Sequence, residues 1–493
     1  MAKIIIKNCN ECELDIPQKY GIKLYDELSI RHPQAFFLRM KVKEWDGKVH
    51  FLNKYGIFKI GLLPRVYSRL LEYGLKIKII DLRKPLPKSK LVKEIGNYKL
   101  RSEQYEALRN ILNYKVGNIP FSIGVVNAAV NFGKTLLMSS LYYGYGKKLK
   151  TLLITQDSDW LNQAKSEFKN YILGEPITFI QGGNVENWSN FSIGMVQSIS
   201  RNIKKYQREL AQIDMVLVDE ADLAGNKSYQ NVLTHLYNTR IRIGLSGTIY
   251  MSNLAKDRLK NFNLEAFFGK EMFKFTISDS IKVGHSTPTI VKLIPCEDIL
   301  PNNYKKISVY QEEYDKNVID NKDSYKIIKD RLKYNLAYER LPALVVCKFI
   351  KHCENLYKYL NKTLEAKYRI AFVHVNTPTK QRNKIMEDFR SGRIDILIST
   401  TIIARGKNFP KLRYMINASG MNSQEKSIQF LGRLVRTYEG KNRVYLDDIQ
   451  YPGNYLGRHS RKRARYYKQE KLKVINLSKL WNKYTHRFKV YTK

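Results

Sequence analysis

Cysteine is scarce in this chain of 493 residues, which contains five: Cys9, Cys12, Cys296, Cys347 and Cys353. So sparse and odd a set does not build a disulfide scaffold, and it favours a reducing compartment such as the cytoplasm. Cys9 and Cys12 form a CxxC pair, but no second close pair of Cys or His follows at the spacing of a zinc finger. We therefore expect free thiols here rather than a zinc site.

Long apolar runs are also missing, since none approaches the ~18 residues that a membrane-spanning helix needs. The first residues, MAKIIIKNCNECELDIP, lack a sustained apolar core followed by a small-residue cleavage site, so export is not expected. Hydrophobic residues make up 43% and aromatic residues 12%, a globular composition that excludes wholesale disorder. The length corresponds to about two to four domains.

Acidic residues are few beside basic ones, with 45 Asp and Glu against 86 Lys and Arg, which gives a net charge of +41. A compact protein with this excess repels itself unless a polyanion offsets the charge. The composition therefore favours nucleic acid as the partner, with an anionic membrane surface as the second class.

The N-terminal part, residues 1–82, is predicted to be a small α+β accessory domain that binds DNA. Its predicted elements are a strand at Lys3–Lys7, a hairpin formed by Val49–Leu52 and Ile57–Gly61, and a helix at Val66–Tyr73. Residues 83–97 begin with RKPLPKSK and are predicted to be a linker, because proline restricts φ and removes a donor while the lysines favour solvent.

Two longer domains are predicted at residues 98–282 and 283–452, where short apolar runs alternate with helical stretches. Continuous apolar strands separated by helices are typical of parallel sheets that are covered on both faces. The predicted strands are Ile123–Val126, Leu152–Thr155, Met215–Val218, Ile241–Leu245, Ala343–Val346, Ile370–Val373, Ile396–Ser399 and Met415–Ala418.

A basic C-terminal extension, residues 453–493, has 13 Lys and Arg against one acid, Glu470, with aromatic residues interleaved. In the functional interpretation its cations bind nucleic-acid phosphates while tyrosines stack on bases. The residues expected to make these contacts are Arg461, Lys462 and Arg463. In the other interpretation the aromatics dock the tail on the preceding domain and the charges are merely solvated.

A phosphate-binding loop is predicted at residues 128–135, AAVNFGKT, between a predicted strand and the helical run Leu136–Tyr143. Such a loop holds phosphate on its backbone N–H groups, here including Asn131 and Gly133, and on the helix N-terminus. In this pattern Lys134 reaches the β- and γ-phosphates, and the Thr135 hydroxyl coordinates Mg²⁺. The sequence therefore predicts a site for ATP and Mg²⁺, although Ala128 replaces the usual first glycine.

Two carboxylates, Asp219 and Glu220, end the predicted strand at Met215–Val218. The carboxyl end of a buried parallel strand is where ligands bind in such sheets. We expect Asp219 to hold Mg²⁺ and Glu220 to polarise the attacking water. An acidic turn after a core strand is the alternative.

Small hydroxyl residues, Ser246 and Thr248, follow the predicted strand at Ile241–Leu245. They are suited to link the carboxylates to a neighbouring surface through hydrogen bonds, although a simple turn explains them as well. Upstream, Gln104 carries an amide that suits the adenine edge because it offers both a donor and an acceptor. Without the neighbouring motifs it would be a surface residue at a helix start.

Two arginines, Arg433 and Arg436, lie three residues apart in QFLGRLVR at 429–436, so they would share a helix face. A guanidinium that reaches the γ-phosphate from another domain stabilises transition-state charge and is worth ~10³–10⁵ in rate. The alternative is a solvated helix face. Taken with the phosphate loop and the carboxylates, the spacing favours a catalytic role.

In this order, AxxNxGKT, DEAD, SGT and QxxGRxxR resemble the motifs of superfamily-two helicases. The resemblance implies an α/β fold of two tandem RecA-like parallel-sheet domains, with ATP and Mg²⁺ as cofactors. It also implies that Gln429 of the last motif contacts the nucleotide. Asn131 and Asn408 stand where the family usually has Gly and Asp.

Two further segments resemble nucleic-acid contacts of the same family. Val196-Gln197-Ser198 resembles a loop that contacts the DNA backbone, which implies this role for Gln197 and Ser198. The segment TTIIARGKN at 400–408 resembles the motif that touches both DNA and the nucleotide. The resemblance therefore implies that Thr400 and Arg405 contact nucleic acid and that Gly406 contacts the nucleotide.

The segment KEWDGKV at 43–49 resembles the W-D-G segment of UvsW-type recombination helicases of tailed bacteriophages, and the length, N-terminal domain and basic tail agree. This resemblance implies a DNA helicase or translocase that remodels forks, crossovers and R-loops in phage recombination and replication. It also implies RNA in R-loops as a partner. The implied location is the host bacterial cytoplasm. The alternatives are an RNA helicase, the motor subunit of a restriction-type translocase, and a non-catalytic nucleic-acid binder.

Overall fold

The computed structural model describes residues 1–40, 44–156, 158–183, 185, 187–249, 255–296, 309–404 and 409–477. Its contacts divide the chain into two compact units. Unit 1 comprises Met1–Ala128 and Phe132–Phe275, and unit 2 comprises Ala129–Asn131 and the chain from Thr276 onward. Within the described part, no helix is long and apolar enough to cross a lipid bilayer.

A small α+β domain opens unit 1. Its elements are β1 (Ala2–Ile6), β2 (Glu11–Asp15), α1 (Gln18–Glu27), β3 (Ser29–Arg31), α2 (Ala35–Arg39), β4 (Lys48–His50), β5 (Ile57–Lys59), α3 (Leu63–Glu72) and β6 (Ile77–Asp81). Four strands form a sheet in the order β5-β2-β1-β6, and β3 pairs with β4. Alternate residues of β1 are buried, as expected of a strand with one face on the core.

A seven-stranded parallel sheet forms the rest of unit 1, in the order β13-β14-β12-β15-β16-β11-β17. Its strands are β11 (Ile123–Ala128), β12 (Thr151–Thr155), β13 (Ile177–Ile180), β14 (Phe191–Met195), β15 (Met215–Asp219), β16 (Ile241–Ser246) and β17 (Glu271–Phe275), and short pairs precede them at β7 (Glu94–Ile95), β8 (Tyr98–Lys99), β9 (Lys115–Val116) and β10 (Ile119–Pro120). The five residues of β12 and of β15 are all buried, because helices cover both faces.

The helices of this part follow the strands. They are α4 (Ser102–Asn113), α5 (Lys134–Gly144), α6 (Ser158–Tyr171), α7 (Val196–Arg201), α8 (Gln207–Ala211), α9 (Lys227–Thr234) and α10 (Ala255–Phe268). The small N-terminal domain is fastened to α10, since Arg65 of α3 forms two hydrogen bonds to Glu265, at 2.8 and 2.7 Å. A Cβ on Gly61 would clash with the Glu265 carbonyl, so glycine permits this close approach.

Unit 2 contains a second seven-stranded parallel sheet, in the order β20-β21-β19-β22-β23-β18-β24. Its strands are β18 (Thr289–Pro295), β19 (Ala343–Val346), β20 (Ile370–Val373), β21 (Ile396–Ser399), β22 (Tyr414–Asn417), β23 (Val444–Gln450) and β24 (Lys473–Asn476). Its helices are α11 (Ile277–Lys282), α12 (Tyr310–Tyr314), α13 (Lys322–Ala337), α14 (Ile350–Thr363), α15 (Thr379–Ser391), α16 (Gln424–Leu434) and α17 (Leu456–Gln469).

The predicted fold class is confirmed, with two parallel-sheet α/β domains and a small N-terminal α+β domain. Part of the predicted basic extension belongs to the second sheet, since β24 pairs with β18, and residues 478–493 lie outside the described ones. The predicted hairpin is confirmed at its turn, where the Asn53 N–H donates to the Ile57 carbonyl at 3.0 Å, but it is shorter than predicted. Strands β4 and β5 pair with β3 and β2 respectively, and an isolated bridge between Leu52 and Phe58 is what joins the two segments.

Candidate active site

Three neighbouring strands of the first sheet bring the predicted motifs of unit 1 to one edge. Strands β15, β16 and β11 are adjacent, with Asp219 opposite Leu245 and Asn127 opposite Ser246. The strands are parallel, so their carboxyl ends lie together. Asp219, Ser246 and the start of the phosphate loop therefore meet at the same edge, as the sequence predicts.

The phosphate loop ends in a glycine that the geometry requires. Gly133 caps α5 in the left-handed region, with φ 78°, and a Cβ at this position would clash with Gln104 Nε2. Asn131 also has a positive φ of 70°, a conformation that Asn tolerates better than most residues. Lys134 is the first residue of α5, so it lies at the helix end that carries the free backbone N–H groups and the positive end of the dipole.

Gln104 supports the phosphate loop. Its Nε2 donates to the carbonyl oxygens of Phe132 and Gly133, at 2.8 and 3.3 Å, while its Oε1 accepts from the Arg101 backbone N–H at 2.9 Å. Both amide hydrogens are therefore used. The predicted donation to adenine is therefore not available in this arrangement, and one lone pair of Oε1 is left for an acceptor role.

Thr135 and Glu167 form a pair that the sequence did not suggest. The Thr135 hydroxyl donates to Glu167 Oε2 at 3.0 Å, a contact between α5 and α6. A hydroxyl that gives its hydrogen to a carboxylate keeps its oxygen lone pairs for a cation. This arrangement, together with the Asp219 carboxylate and the Gly133 turn, fits a Mg²⁺-triphosphate, in which Thr135 and Asp219 would hold the metal.

The carboxylate motif has a strained backbone. Asp219 is buried at the end of β15, and Glu220 follows it with φ 54°, a left-handed conformation that costs a non-glycine residue ~1–3 kcal/mol. Such strain persists where the surrounding structure fixes it, and it is concentrated at functional sites. Its location one residue after Asp219 supports the role predicted for Glu220.

Ser246 links the predicted coupling motif to the carboxylates. Its hydroxyl donates to Asp222 Oδ1 at 2.7 Å, and it also meets the Thr248 hydroxyl at 3.0 Å. All three side chains are buried. A hydrogen bond therefore joins this motif to the carboxylate motif through Asp222, which received no role of its own, and the link to a neighbouring surface stays a prediction.

Tyr229 on α9 is a further residue that the sequence analysis missed. Its side chain is buried, and within the described residues its hydroxyl has no hydrogen-bond partner. Burial raises the pKa of Tyr229, and the charges of Glu220, Asp219 and Asp222 add to this effect. A neutral hydroxyl therefore lies close to the carboxylate motif. No sequence signal identified it, because Asp222 and Tyr229 lie on different elements.

The arginine motif in unit 2 is arranged differently from the prediction. Helix α16 ends at Leu434 with Val435 as its C-cap, so Arg433 lies on the helix and Arg436 lies beyond it. The prediction that both share one helix face is therefore wrong. Both are half-buried, as is Gln429 on the same helix.

Lys441 holds the end of α16, and the sequence analysis did not single it out. Its Nζ donates to the carbonyl oxygens of Pro410, Leu434 and Arg436, at 2.9, 2.8 and 2.8 Å. Burial lowers the pKa of Lys441 to about 7, with Arg413 and Arg436 contributing, whereas three acceptors favour the ammonium form. The side chain fixes the backbone that follows Arg433.

The predicted nucleic-acid contacts of the motor domains differ in accessibility. Ser198 on α7 accepts a hydrogen bond from the Gly182 backbone N–H at 3.0 Å, and neighbouring Gln197 has a buried Oε1 without a partner in the described residues. Thr400 is buried at the end of β21, which leaves little of its side chain for the predicted contact. Arg405 and Gly406 lie outside the described residues.

On α17 the three predicted nucleic-acid contacts separate. Arg461 is exposed and Lys462 is half-buried, as a surface contact requires. Arg463 is 0% exposed and pairs with Asp448, with its Nε and NH2 both 2.9 Å from carboxylate oxygens. The prediction for Arg463 is therefore wrong, because its guanidinium is used in the interior of unit 2.

Comparisons with known proteins agree with both units. The family described as "Type III restriction enzyme, res subunit" matches residues 97–251, and "Helicase conserved C-terminal domain" matches residues 325–438. The chain is 23% identical over 484 residues to the ATP-dependent DNA helicase uvsW of Enterobacteria phage T4, covering 89% of this chain and 92% of that protein.

Two solved structures have the same fold at low identity. A Type ISP restriction-modification enzyme, LlaBIII, bound to DNA gives a TM-score of 0.55 at 14% identity, over 85% of this chain and 35% of that one. Dbp5 of S. cerevisiae bound to RNA and ADP BeF3 gives a TM-score of 0.51 at 14% identity, over 80% of this chain and 95% of that one.

The chain is a helicase of superfamily two, with tandem RecA-like domains and the nucleic-acid-dependent ATPase activity that such domains imply. Within this class it resembles the UvsW-type helicases of phages over most of its length.

Proposed function

We propose that this protein is an ATP-dependent DNA helicase or translocase that remodels branched DNA such as forks, crossovers and R-loops. The observation that carries the proposal is the meeting of the phosphate loop, Asp219 and Ser246 at one edge of the first sheet. The similarity to a phage protein named as an ATP-dependent DNA helicase, over 89% of this chain, supports DNA as the substrate.

In this mechanism the residues of unit 1 bind and orient the triphosphate. The N-terminus of α5 and Lys134 neutralise the β- and γ-phosphates, and Thr135 and Asp219 hold the metal. When bound, Mg²⁺ supplies positive charge to the phosphate oxygens. Glu220 orients and polarises the attacking water.

The arginine motif contributes positive charge. Phosphoryl transfer needs little covalent chemistry from the protein, so charge placed near the γ-phosphate lowers the barrier directly. We assign this role to Arg433 and Arg436, and Lys441 positions the backbone that carries them.

Nucleic acid is proposed to be gripped through its phosphates. Helix α17 presents four exposed cations at helical spacing: Arg458, Arg461, Arg465 and Lys468. Residues at this spacing lie along one helix face. Because phosphate contacts carry little sequence information, binding is expected to be independent of sequence.

The experiment that tests the function measures ATP hydrolysis and strand displacement on single-stranded, forked, four-way and RNA–DNA substrates. We expect the greatest unwinding on branched DNA. Lys134→Ala should abolish hydrolysis and spare nucleic-acid binding, because it removes a phosphate contact. The control Lys148→Ala changes an exposed lysine after the same helix and should be active.

The same panel separates the alternatives. Displacement of RNA duplexes in preference to DNA would identify an RNA helicase. Hydrolysis with translocation but no displacement of any strand would identify a restriction-type motor. If the unmodified protein binds nucleic acid but hydrolyses no ATP, and Lys134→Ala binds equally well, the protein is a non-catalytic nucleic-acid binder.

A further inference from the structure

Helix α2 carries an unusual group of exposed apolar side chains. Phe36, Phe37 and Met40 are 72%, 69% and 71% exposed. Residues 36 and 40 are four apart and residues 37 and 40 are three apart, so the three lie on one side of the helix and its C-cap. We call these three residues the α2 face. Large apolar groups clustered in water usually mark an interaction site.

The two exposed phenylalanines of this face are neighbours. Among the described residues, the large apolar side chains that are mostly exposed include two phenylalanines, and both belong to the α2 face. The two rings contact each other edge to face, with centroids 5.4 Å apart and an angle of 86° between planes. They form a continuous aromatic surface.

The W-D-G segment, Trp45 to Gly47, packs against α2 at Ala35. The Trp45 indole N–H donates to the Lys48 carbonyl at 2.8 Å, and its ring contacts His32 with centroids 5.8 Å apart. A Cβ on Gly47 would lie 3.1 Å from Ala35 Cβ, so the turn packs closely under α2. The α2 face is therefore presented by a fixed scaffold, and Trp45 belongs to that scaffold.

Two exposed arginines flank helix α2, whereas the exposed Asp46 of the W-D-G segment is hydrogen-bonded to Lys48 and His50. Arg31 ends the strand that leads into the helix, Arg39 lies on the helix, and both are exposed. In a chain of net charge +41, this rim would repel a second copy of the same surface. It complements the phosphates that flank a nucleobase, while aromatic rings offer faces on which bases stack.

We propose that the α2 face binds unpaired nucleobases of the DNA substrate by stacking, with Arg31 and Arg39 contacting the adjacent phosphates. This inference rests on the proposed function and names the part of the substrate that the N-terminal domain recognises. Bases within a duplex are already stacked on their neighbours, so the α2 face distinguishes unpaired from paired DNA.

The test compares Phe36→Ala/Phe37→Ala with the unmodified protein in binding to single-stranded, forked and blunt duplex DNA. Loss of stacking is expected to weaken binding to the first two by between about 5-fold and about 150-fold per base, and to leave blunt duplex binding unchanged. Fluorescence of 2-aminopurine in the unpaired strand, quenched by the unmodified protein, should recover. Phe36→Tyr/Phe37→Tyr should retain binding, because tyrosine also stacks.

The control is Ile22→Ala, which removes another exposed apolar side chain, on α1 of the same domain. Equal weakening on all three DNAs, or none, would overturn the inference, as would a shift from dimer to monomer in the double alanine variant. The function is tested separately. If the unmodified protein shows no DNA-stimulated hydrolysis, the proposed function fails, whereas a failure confined to the Phe variants leaves it standing.

Discussion

Lys441 shows how one buried side chain makes stability depend on pH. Its pKa is about 7 in the folded protein against a usual value of 10.5, and burial is the main cause. Between pH ~7 and ~10 the unfolded chain therefore binds one proton more than the folded one. The free energy of unfolding then rises with pH, by up to about 1.4 kcal/mol per pH unit.

Replacing Lys441 with Met removes this titration. We expect the difference in free energy of unfolding between the unmodified protein and Lys441→Met to shift in favour of the unmodified protein as the pH rises from 7 to 9. Urea unfolding at several pH values measures this difference. Lys326→Met changes an exposed lysine of α13 and should show no such slope. If this difference does not change with pH, Lys441 stays charged in the folded protein throughout the range.

Ser246→Ala tests the link between the two motifs in unit 1. Asp222 Oδ2 has no partner among the described residues, so loss of the Ser246 hydroxyl would leave the buried carboxylate poorly satisfied, at a cost of about 1–3 kcal/mol. We expect ATP hydrolysis to be retained and strand displacement to fall. The ratio of the two rates is the measurement.

The matched control is Ser192→Ala on β14, a buried serine of the same sheet that donates to the Ser189 carbonyl. It should leave the ratio of displacement to hydrolysis unchanged. A lowered ratio in both variants would assign the effect to general loss of packing in the sheet.

At the residue scale, the sequence could predict which side chains reach the edge of the sheet. It could not predict how they are used there. Gln104 is turned towards the phosphate loop, and Arg463 is neutralised by Asp448. Both outcomes depend on partners that are distant in sequence, at 28 and 15 residues, and no local pattern identifies them.

At the scale of elements, apolar runs located eight strands of the two large sheets to within two residues. Strand β23, with the sequence VYLDDIQ, has no such run, because it carries two buried acids. Asp447 accepts from Arg331 at 2.6 Å, and Asp448 pairs with Arg463. Arginines on α13 and α17 therefore compensate the two buried acids of this strand. Its burial can be recognised only once the positions of these helices are known.

The N-terminal hairpin is shorter than predicted for a related reason. The pattern of residues 49–61 has two extended segments around a turn, which is compatible with pairing to each other or to other strands. Tertiary context decides, since β5 completes the edge of the four-stranded sheet beside β2. A local pattern predicts extended structure here, and it does not predict the partner.

Helix α17 allows the buried and exposed cations of one element to be compared. Arg463→Met would leave Asp448 buried without a cation, with Asn417 and Tyr467 still donating to it, so we expect unfolding at a lower denaturant concentration, with a loss of about 3–5 kcal/mol. Arg461→Ala should keep the stability and weaken nucleic-acid binding, with the salt slope reduced by about 1. Chemical unfolding and binding at several salt concentrations separate the two effects. If Arg461→Ala also unfolds the protein, the exposed role of this face is wrong.

At the scale of the whole molecule, several of the few acidic residues are buried in the interior. Asp447, Asp448 and Glu313 are fully buried, and Glu313 accepts from the backbone N–H groups of Asn454, Tyr455 and Leu456 at the start of α17. A carboxylate in this position stabilises the helix end. Among the described residues, seven acidic side chains are buried but only four basic ones, so the solvent-facing surface is more basic than the net charge indicates.

This surface charge predicts a strong effect of salt. A protein that neutralises about 6–10 phosphates loses ~10³–10⁵ in affinity between ~50 and ~200 mM salt. We expect the DNA concentration for half-maximal ATPase stimulation to rise steeply over this range, while the maximal rate changes little, because saturating DNA compensates for the weaker binding. Titrating DNA at each salt concentration measures both quantities. An uncharged osmolyte at equal osmolality should leave the half-maximal concentration unchanged, and a half-maximal concentration independent of salt would contradict binding through phosphates.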